Sequence, residues 1–86
     1  MDIEVTPRAA SAFRRLPNTV KARVTSAIDQ LKDNPFPKDT KHLGIWKDKS
    51  AYRIRVGQYR IIYTVRMQLG DILILAIDKR IRVYQR

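Results

Sequence analysis

Between Tyr52 and Tyr63, apolar or aromatic residues alternate with arginines on both sides of Gly57-Gln58. Period-two alternation of β-branched and aromatic residues predicts two half-buried strands, and glycine at the first central position of a two-residue loop suits a type II′ hairpin. That loop fixes the register: Val56 faces Tyr59, Arg55 faces Arg60, Ile54 faces Ile61, Arg53 faces Ile62 and Tyr52 faces Tyr63. Residues paired in this way share a face. Arg53, Arg55 and Arg60 therefore gather on one side, while Tyr52, Ile54, Val56, Tyr59, Ile61 and Tyr63 form a surface that must be buried. Like charges directly opposite one another cost up to about 1 kcal/mol. Arg55 against Arg60 breaks a local rule, as functional sites tend to do, and an anion between them relieves it.

The flanking segments supply what buries that surface. Ile3 to Val5 reads as a short strand ended by Thr6-Pro7, where Thr6 can cap a helix and Pro7 fits its first turn. The helix is expected to run to about Leu16, with Ala9, Ala12, Phe13 and Leu16 on one face. Pro17-Asn18 breaks it and begins another, in which Val20, Val24, Ala27, Ile28 and Leu31 recur at helical spacing. Asn34-Pro35-Phe36-Pro37 stops this second helix. Residues 38–50 are polar, with Lys38, Lys41, Lys47 and Lys49, and contain a brief Leu43-Gly44-Ile45-Trp46 stretch readable as an edge strand or a packed loop. After the hairpin, residues 72–77 are apolar at every position, as in a strand buried on both faces, and Asp78 ends the run. The expected architecture is α+β in the order β-α-α-β-β-β, with a two-helix hairpin packed on one face of a small, mainly antiparallel sheet.

Eighty-six residues make one domain, residues 1–86, with room for one core. The net charge of +10 points to a polyanionic partner. The first 43 residues hold eight Lys and Arg against five Asp and Glu, the rest ten against three, so the surplus rides on the strand-rich half. Without cysteine there is no disulfide framework, thiol nucleophile or thiolate zinc site. The start of the chain shows no secretory pattern and no run approaches a membrane span, so a reducing cytoplasm is the expected location.

No Asp or Glu occurs between Ala51 and Leu69, although Arg53, Arg55, Arg60 and Arg66 do. An ordinary wet sheet face mixes signs, which favours an anion-binding reading. Arginine's planar fork matches phosphate oxygens and stays protonated at any working pH. The closing Lys79-Arg80-Ile81-Arg82-Val83-Tyr84-Gln85-Arg86 interleaves four cations with Ile81, Val83 and Tyr84. Tyr84, between Arg82 and Arg86, reads equally as a platform for stacking a nucleobase and as a tyrosine at the core edge. His42, the sole imidazole, has no second His or Cys to form a metal site and reads as a surface residue. Trp46 reads as a lid on the core. No phosphate-binding glycine loop, carboxylate pair or activated Ser constellation is present, so any chemistry falls to cationic side chains.

Taken together, the opening strand, the helical hairpin broken at Leu16-Pro17, the Tyr52–Tyr63 hairpin and the Lys79-Arg80-Ile-Arg82-Val-Tyr84 ending resemble the RelE family of type II toxin–antitoxin systems, within the RelE/ParE superfamily. The short ending after Tyr84 is similar to its compact, archaeal-type members. The resemblance implies a ribosome-dependent messenger-RNA endonuclease that inhibits translation by cleaving in the A site through attack of the ribose 2′-hydroxyl on the adjacent phosphate. Arg53 and Arg55 match the basic pair on the hairpin's first strand and Arg60 the arginine that stabilises the phosphate. Arg80 matches the arginine that assists the leaving group and Tyr84 the tyrosine that positions RNA. Lys47, Lys49, Arg66, Arg82 and Arg86 are the expected further RNA contacts. The implied partners are a small acidic antitoxin, the 70S-type ribosome and messenger RNA, with operator DNA met only through the antitoxin complex; neither a cofactor nor a metal is implied.

Arginine is a poor general base. Lys79, where many relatives carry His, is the one titratable cation near the motif, and like charges around it would favour its neutral form, which makes it the candidate for proton transfer. Otherwise catalysis rests on electrostatics and on geometry set by the ribosome. The competing readings are a ParE-like gyrase poison of the same fold and an RNA-binding module without chemistry.

Overall fold

In the computed structural model, which describes residues 1–46 and 48–79 with the side chain of Trp46 excepted, the sheet has five strands in the order β1-β5-β4-β3-β2. The strands are β1 (Asp2–Val5), β2 (Lys41–Trp46), β3 (Lys49–Val56), β4 (Tyr59–Arg66) and β5 (Asp71–Asp78), and the helices α1 (Pro7–Arg14) and α2 (Asn18–Asp33) lie between β1 and β2 in the chain. This is the expected α+β class. Of the two readings of residues 43–46, the edge strand holds, and it begins at Lys41. β1 pairs in parallel with β5, and the other neighbours are antiparallel.

Local chemistry explains the helix ends. The Thr6 hydroxyl accepts from the Ala9 amide at 3.2 Å and donates to the Leu75 carbonyl at 3.1 Å, so one side chain caps α1 and ties it to β5. The helix stops at Arg14, two residues short of expectation, because Pro17 disfavours helical angles in the residue before it. Pro17 then stands at the N-cap of α2.

The main core lies between the helices and the sheet. Ala9, Leu16, Val24 and Leu31 from the helices meet Ile54, Val56, Ile61, Tyr63, Ile72, Ile74 and Ile77 from the strands. β5 is buried along nearly its whole length, as its unbroken apolar run predicts. On the other face a smaller apolar group, Ala51, Ile62, Leu75 and Ala76, underlies the polar surface.

The hairpin register is the predicted one at every pair from Tyr52–Tyr63 to Val56–Tyr59. Gly57 has φ +61° while Gln58 stays at negative φ, as a type II′ turn requires. A Cβ on Gly57 would come within 3.2 Å of the Arg23 guanidinium of α2, so the turn lies against that helix side chain.

Candidate functional site

Three arginines reach the open face because β3 and β4 bury their alternate residues under the helices. Arg55 stands directly opposite Arg60, and Arg53 is paired with Ile62 two residues along. On the other side of β3, Lys41 stands opposite Arg53, adding a cation that the β2 pairing brings in. A cleft of about 430 Å³ is lined by Lys38, Asp39, Thr40, Lys41, Arg53 and Arg55. Its rim carries four cations and one carboxylate.

Electrostatics within the cluster are unfavourable in the absence of an anion. The Arg53 guanidinium is pushed below its ordinary pKa, first by burial and then by the positive charges of Arg60 and Arg55. Its Nε is buried and has no hydrogen-bond partner among the described residues. A buried donor left unpaired costs about 1–3 kcal/mol, so a phosphate oxygen reaching it has something to gain. Arg60 is anchored differently: its Nη1 donates to the backbone carbonyl of Lys79.

The segment lining the cleft is held by Tyr63. This fully buried phenol donates to the Pro35 carbonyl at 2.6 Å and lies 3.3 Å from the Thr40 hydroxyl. Its single proton goes to Pro35, so Thr40 is the donor in the second bond. Burial pushes the Tyr63 phenol above its ordinary pKa, so it stays protonated. A core residue thus sets the loop that carries Lys38, Asp39 and Thr40.

The remaining expected site residues separate. The Lys79 ammonium lies 5.5 Å from the centroid of the Tyr59 ring, on the helix side of the sheet, away from Arg53, Arg55 and Arg60. Only its carbonyl meets the cluster, so this geometry does not supply the amine expected for proton transfer. Arg66 is held in a two-pronged ion pair, its Nε and Nη2 each 2.7 Å from an oxygen of Asp71. The pair raises the Arg66 pKa and holds the Asp71 carboxyl below its ordinary value. Arg66 is therefore a structural cation with its fork occupied. Lys49, at the far end of β3, lines another cleft with Phe36, Met67 and Leu69. His42 is exposed on β2, with its ring 5.2 Å from that of Tyr52. Lys47, Arg80, Arg82, Tyr84 and Arg86 lie outside the described residues.

Lys41 and Asp78 were not among the expected site residues. Lys41 enters through the β2–β3 pairing, and Asp78 stands opposite Arg60 on β5. Among the described residues no group of three or more His, Asp or Glu side chains is disposed to hold a metal ion. What the arrangement offers is a cationic, partly dehydrated surface flanked by two carboxylates, Asp39 in the cleft and Asp78 beside Arg60.

Comparison with known proteins bears on the family and the fold. The sequence model of the family described as the ParE toxin of the type II toxin–antitoxin system parDE matches residues 3–84. The chain is 28% identical over 85 residues to the Methanocaldococcus jannaschii protein described as "Putative toxin RelE1", covering 98% of this chain and 94% of that one. Among solved structures it is similar to the archaeal RelE–RelB complex of Pyrococcus horikoshii, with a TM-score of 0.79 and 29% identity over 90% of this chain and 91% of that chain. It is also similar to the Mycobacterium tuberculosis toxin–antitoxin complex RelBE2, with a TM-score of 0.75 and 25% identity over 92% and 96%. The intact Escherichia coli RelBE complex shares the fold, with a TM-score of 0.77 and 19% identity over 94% and 98%.

Proposed function

Because the chain belongs to the ParE/RelE toxin family of type II toxin–antitoxin systems, we propose that it is a ribosome-dependent messenger-RNA endonuclease, acting in the cytoplasm to inhibit translation. The observation that carries this reading is the Arg55–Arg60 pair, with the partnerless Nε of Arg53 beside it. Cleavage by 2′-hydroxyl attack builds negative charge on a five-coordinate phosphorus. Donors fixed in advance around that charge are worth more than mobile ones in water. Arg53, Arg55 and Arg60 neutralise the phosphate, and Lys41 extends the basic track along the message. Arg80 and Tyr84 complete the site in this proposal, as the leaving-group arginine and the residue that positions RNA. A group of arginines binds any RNA backbone, and the ribosome supplies the selection of the A-site message.

The proposed partner in the resting cell is a small acidic antitoxin. The Pyrococcus horikoshii and Mycobacterium tuberculosis relatives are toxin–antitoxin complexes. A protein of net charge +10 gains association rate and specificity from an inhibitor of opposite charge. Inhibition by remodelling carries residues 79–86 out of position, and inhibition by occlusion covers the hairpin face. Hydrogen exchange on residues 79–86, with and without the partner, separates the two. Operator DNA is reached only through the complex.

The family description in terms of ParE favours a second reading, inhibition of DNA gyrase through protein contact. Primer extension on transcripts after induction, run beside a gyrase supercoiling assay, decides between them. Discrete cuts with unimpaired supercoiling support the nuclease, and impaired supercoiling with intact transcripts supports the gyrase poison.

A further inference from the structure

Arginine cannot take up a proton at neutral pH, and the Lys79 ammonium lies on the helix side of the sheet. The 2′-hydroxyl must nevertheless lose its proton. β5 supplies a group that can accept one. Ile77 belongs to the core under the helices and the Lys79 ammonium lies over Tyr59 on that same side, so strand alternation gives the Asp78 side chain the open face, although the residue also borders the cleft beneath α1 with Ala12, Arg15 and Tyr59. The ladder places Asp78 directly opposite Arg60, which has Arg55 opposite it on the other side. Side chains opposed in this way start about 5 Å apart at Cβ, close enough for one to hold a phosphate and the other to touch the adjacent ribose. Asp39, the carboxylate of the neighbouring cleft, belongs to the loop before β2, beside Arg53 and roughly two strand spacings, about 10 Å, from β5.

We propose that Asp78 is the proton acceptor for the 2′-hydroxyl in the RNA cleavage described above, an inference that rests on that reading. In this step the Asp78 carboxylate takes the proton of the 2′-hydroxyl and the 2′-oxygen forms a bond to phosphorus. The bond from phosphorus to the 5′-oxygen breaks, and the departing oxygen takes a proton from water. The products are a 2′,3′-cyclic phosphate and a 5′-hydroxyl, and Asp78 returns its proton to solvent. Arg60 carries the phosphate charge while Asp78 works one strand away.

The test is single-turnover cleavage of a short message bound in the A site of purified ribosomes, by the wild-type protein and by Asp78→Asn and Asp78→Glu. With a proton acceptor removed, Asp78→Asn is expected to cleave about 100-fold more slowly at unchanged ribosome occupancy, and Asp78→Glu to recover part of the rate. A message whose bridging 5′-oxygen is replaced by sulfur has a leaving group that needs no proton. The Asn variant should remain slow on it, since the 2′-hydroxyl is still unactivated. An Asn variant within about 3-fold of wild type, or one restored to the wild-type rate by the sulfur substitution, overturns the assignment while leaving the nuclease reading in place. A message left intact by the wild-type protein overturns both.

Discussion

The Arg60 guanidinium donates to the backbone carbonyl of Lys79, tying an arginine of the open face to the residue that follows β5. A guanidinium has five N–H donors, so this bond orients the fork and leaves the rest for a phosphate. The contact uses the Lys79 main chain. The side chain of Lys79 goes the other way, over Tyr59.

Lys79 substitutions separate these roles. Lys79→Arg keeps the carbonyl and the cation above Tyr59 and removes the titratable amine. The structure predicts single-turnover cleavage within about 3-fold of wild type, the reverse of what the amine's place in the sequence suggests. A loss of about 10-fold or more in Lys79→Arg, at equal ribosome affinity, would return proton transfer to the lysine.

Arg66→Ala should act on stability and leave RNA binding alone, because its fork is occupied by Asp71. Asp71 is depressed in the folded state, first by its hydrogen bond from Arg66. Such a carboxyl contributes stability above its unfolded pKa, and the contribution is lost as pH falls through the folded value. Denaturant midpoints should therefore show Arg66→Ala below wild type at pH 7, with the difference closing below about pH 4. A weaker salt dependence of RNA binding in Arg66→Ala would show instead that Arg66 meets phosphate.

Much of this was legible from residue order, and the exceptions have identifiable causes. The β3–β4 register follows from a two-residue loop and strict alternation, which leave no freedom to slip. β5 gave no such handle. Residues 72–77 are apolar on both parities, and a bulge between Ile62 and Tyr63 shifts the β4–β5 pairing, so the faces taken by Asp78 and Lys79 cannot be counted from the sequence. The Arg66–Asp71 pair closes the loop between β4 and β5; two opposite charges flanking a glycine-containing loop were the available signal. The Lys41–Arg53 neighbourhood depends on β2 joining the sheet edge, which its short apolar stretch left open between strand and loop.

Tyr63→Phe removes the hydroxyl that holds Pro35 and Thr40 while keeping the ring in the core. Leaving the part-buried Pro35 carbonyl without this donor should cost about 1 kcal/mol, read from denaturant unfolding. Amide exchange at Thr40, whose N–H donates to the Pro37 carbonyl at 2.9 Å, should quicken as the loop loosens. Unchanged stability and exchange would mean that the loop is held by other contacts.

RNA cleavage at the arginine cluster is tested by primer extension on a defined message in a purified translation system, comparing wild type with Arg60→Ala. Arg60 lies on the polar face, so the variant should fold with an unaltered circular dichroism spectrum. Losing one fixed donor to the developing phosphate charge is expected to slow cleavage about 100-fold or more. Discrete cuts in ribosome-bound message are expected with wild type, and their near disappearance with Arg60→Ala. An intact message with wild type, or equal cutting by the two proteins at matched concentration, would contradict cleavage at this cluster.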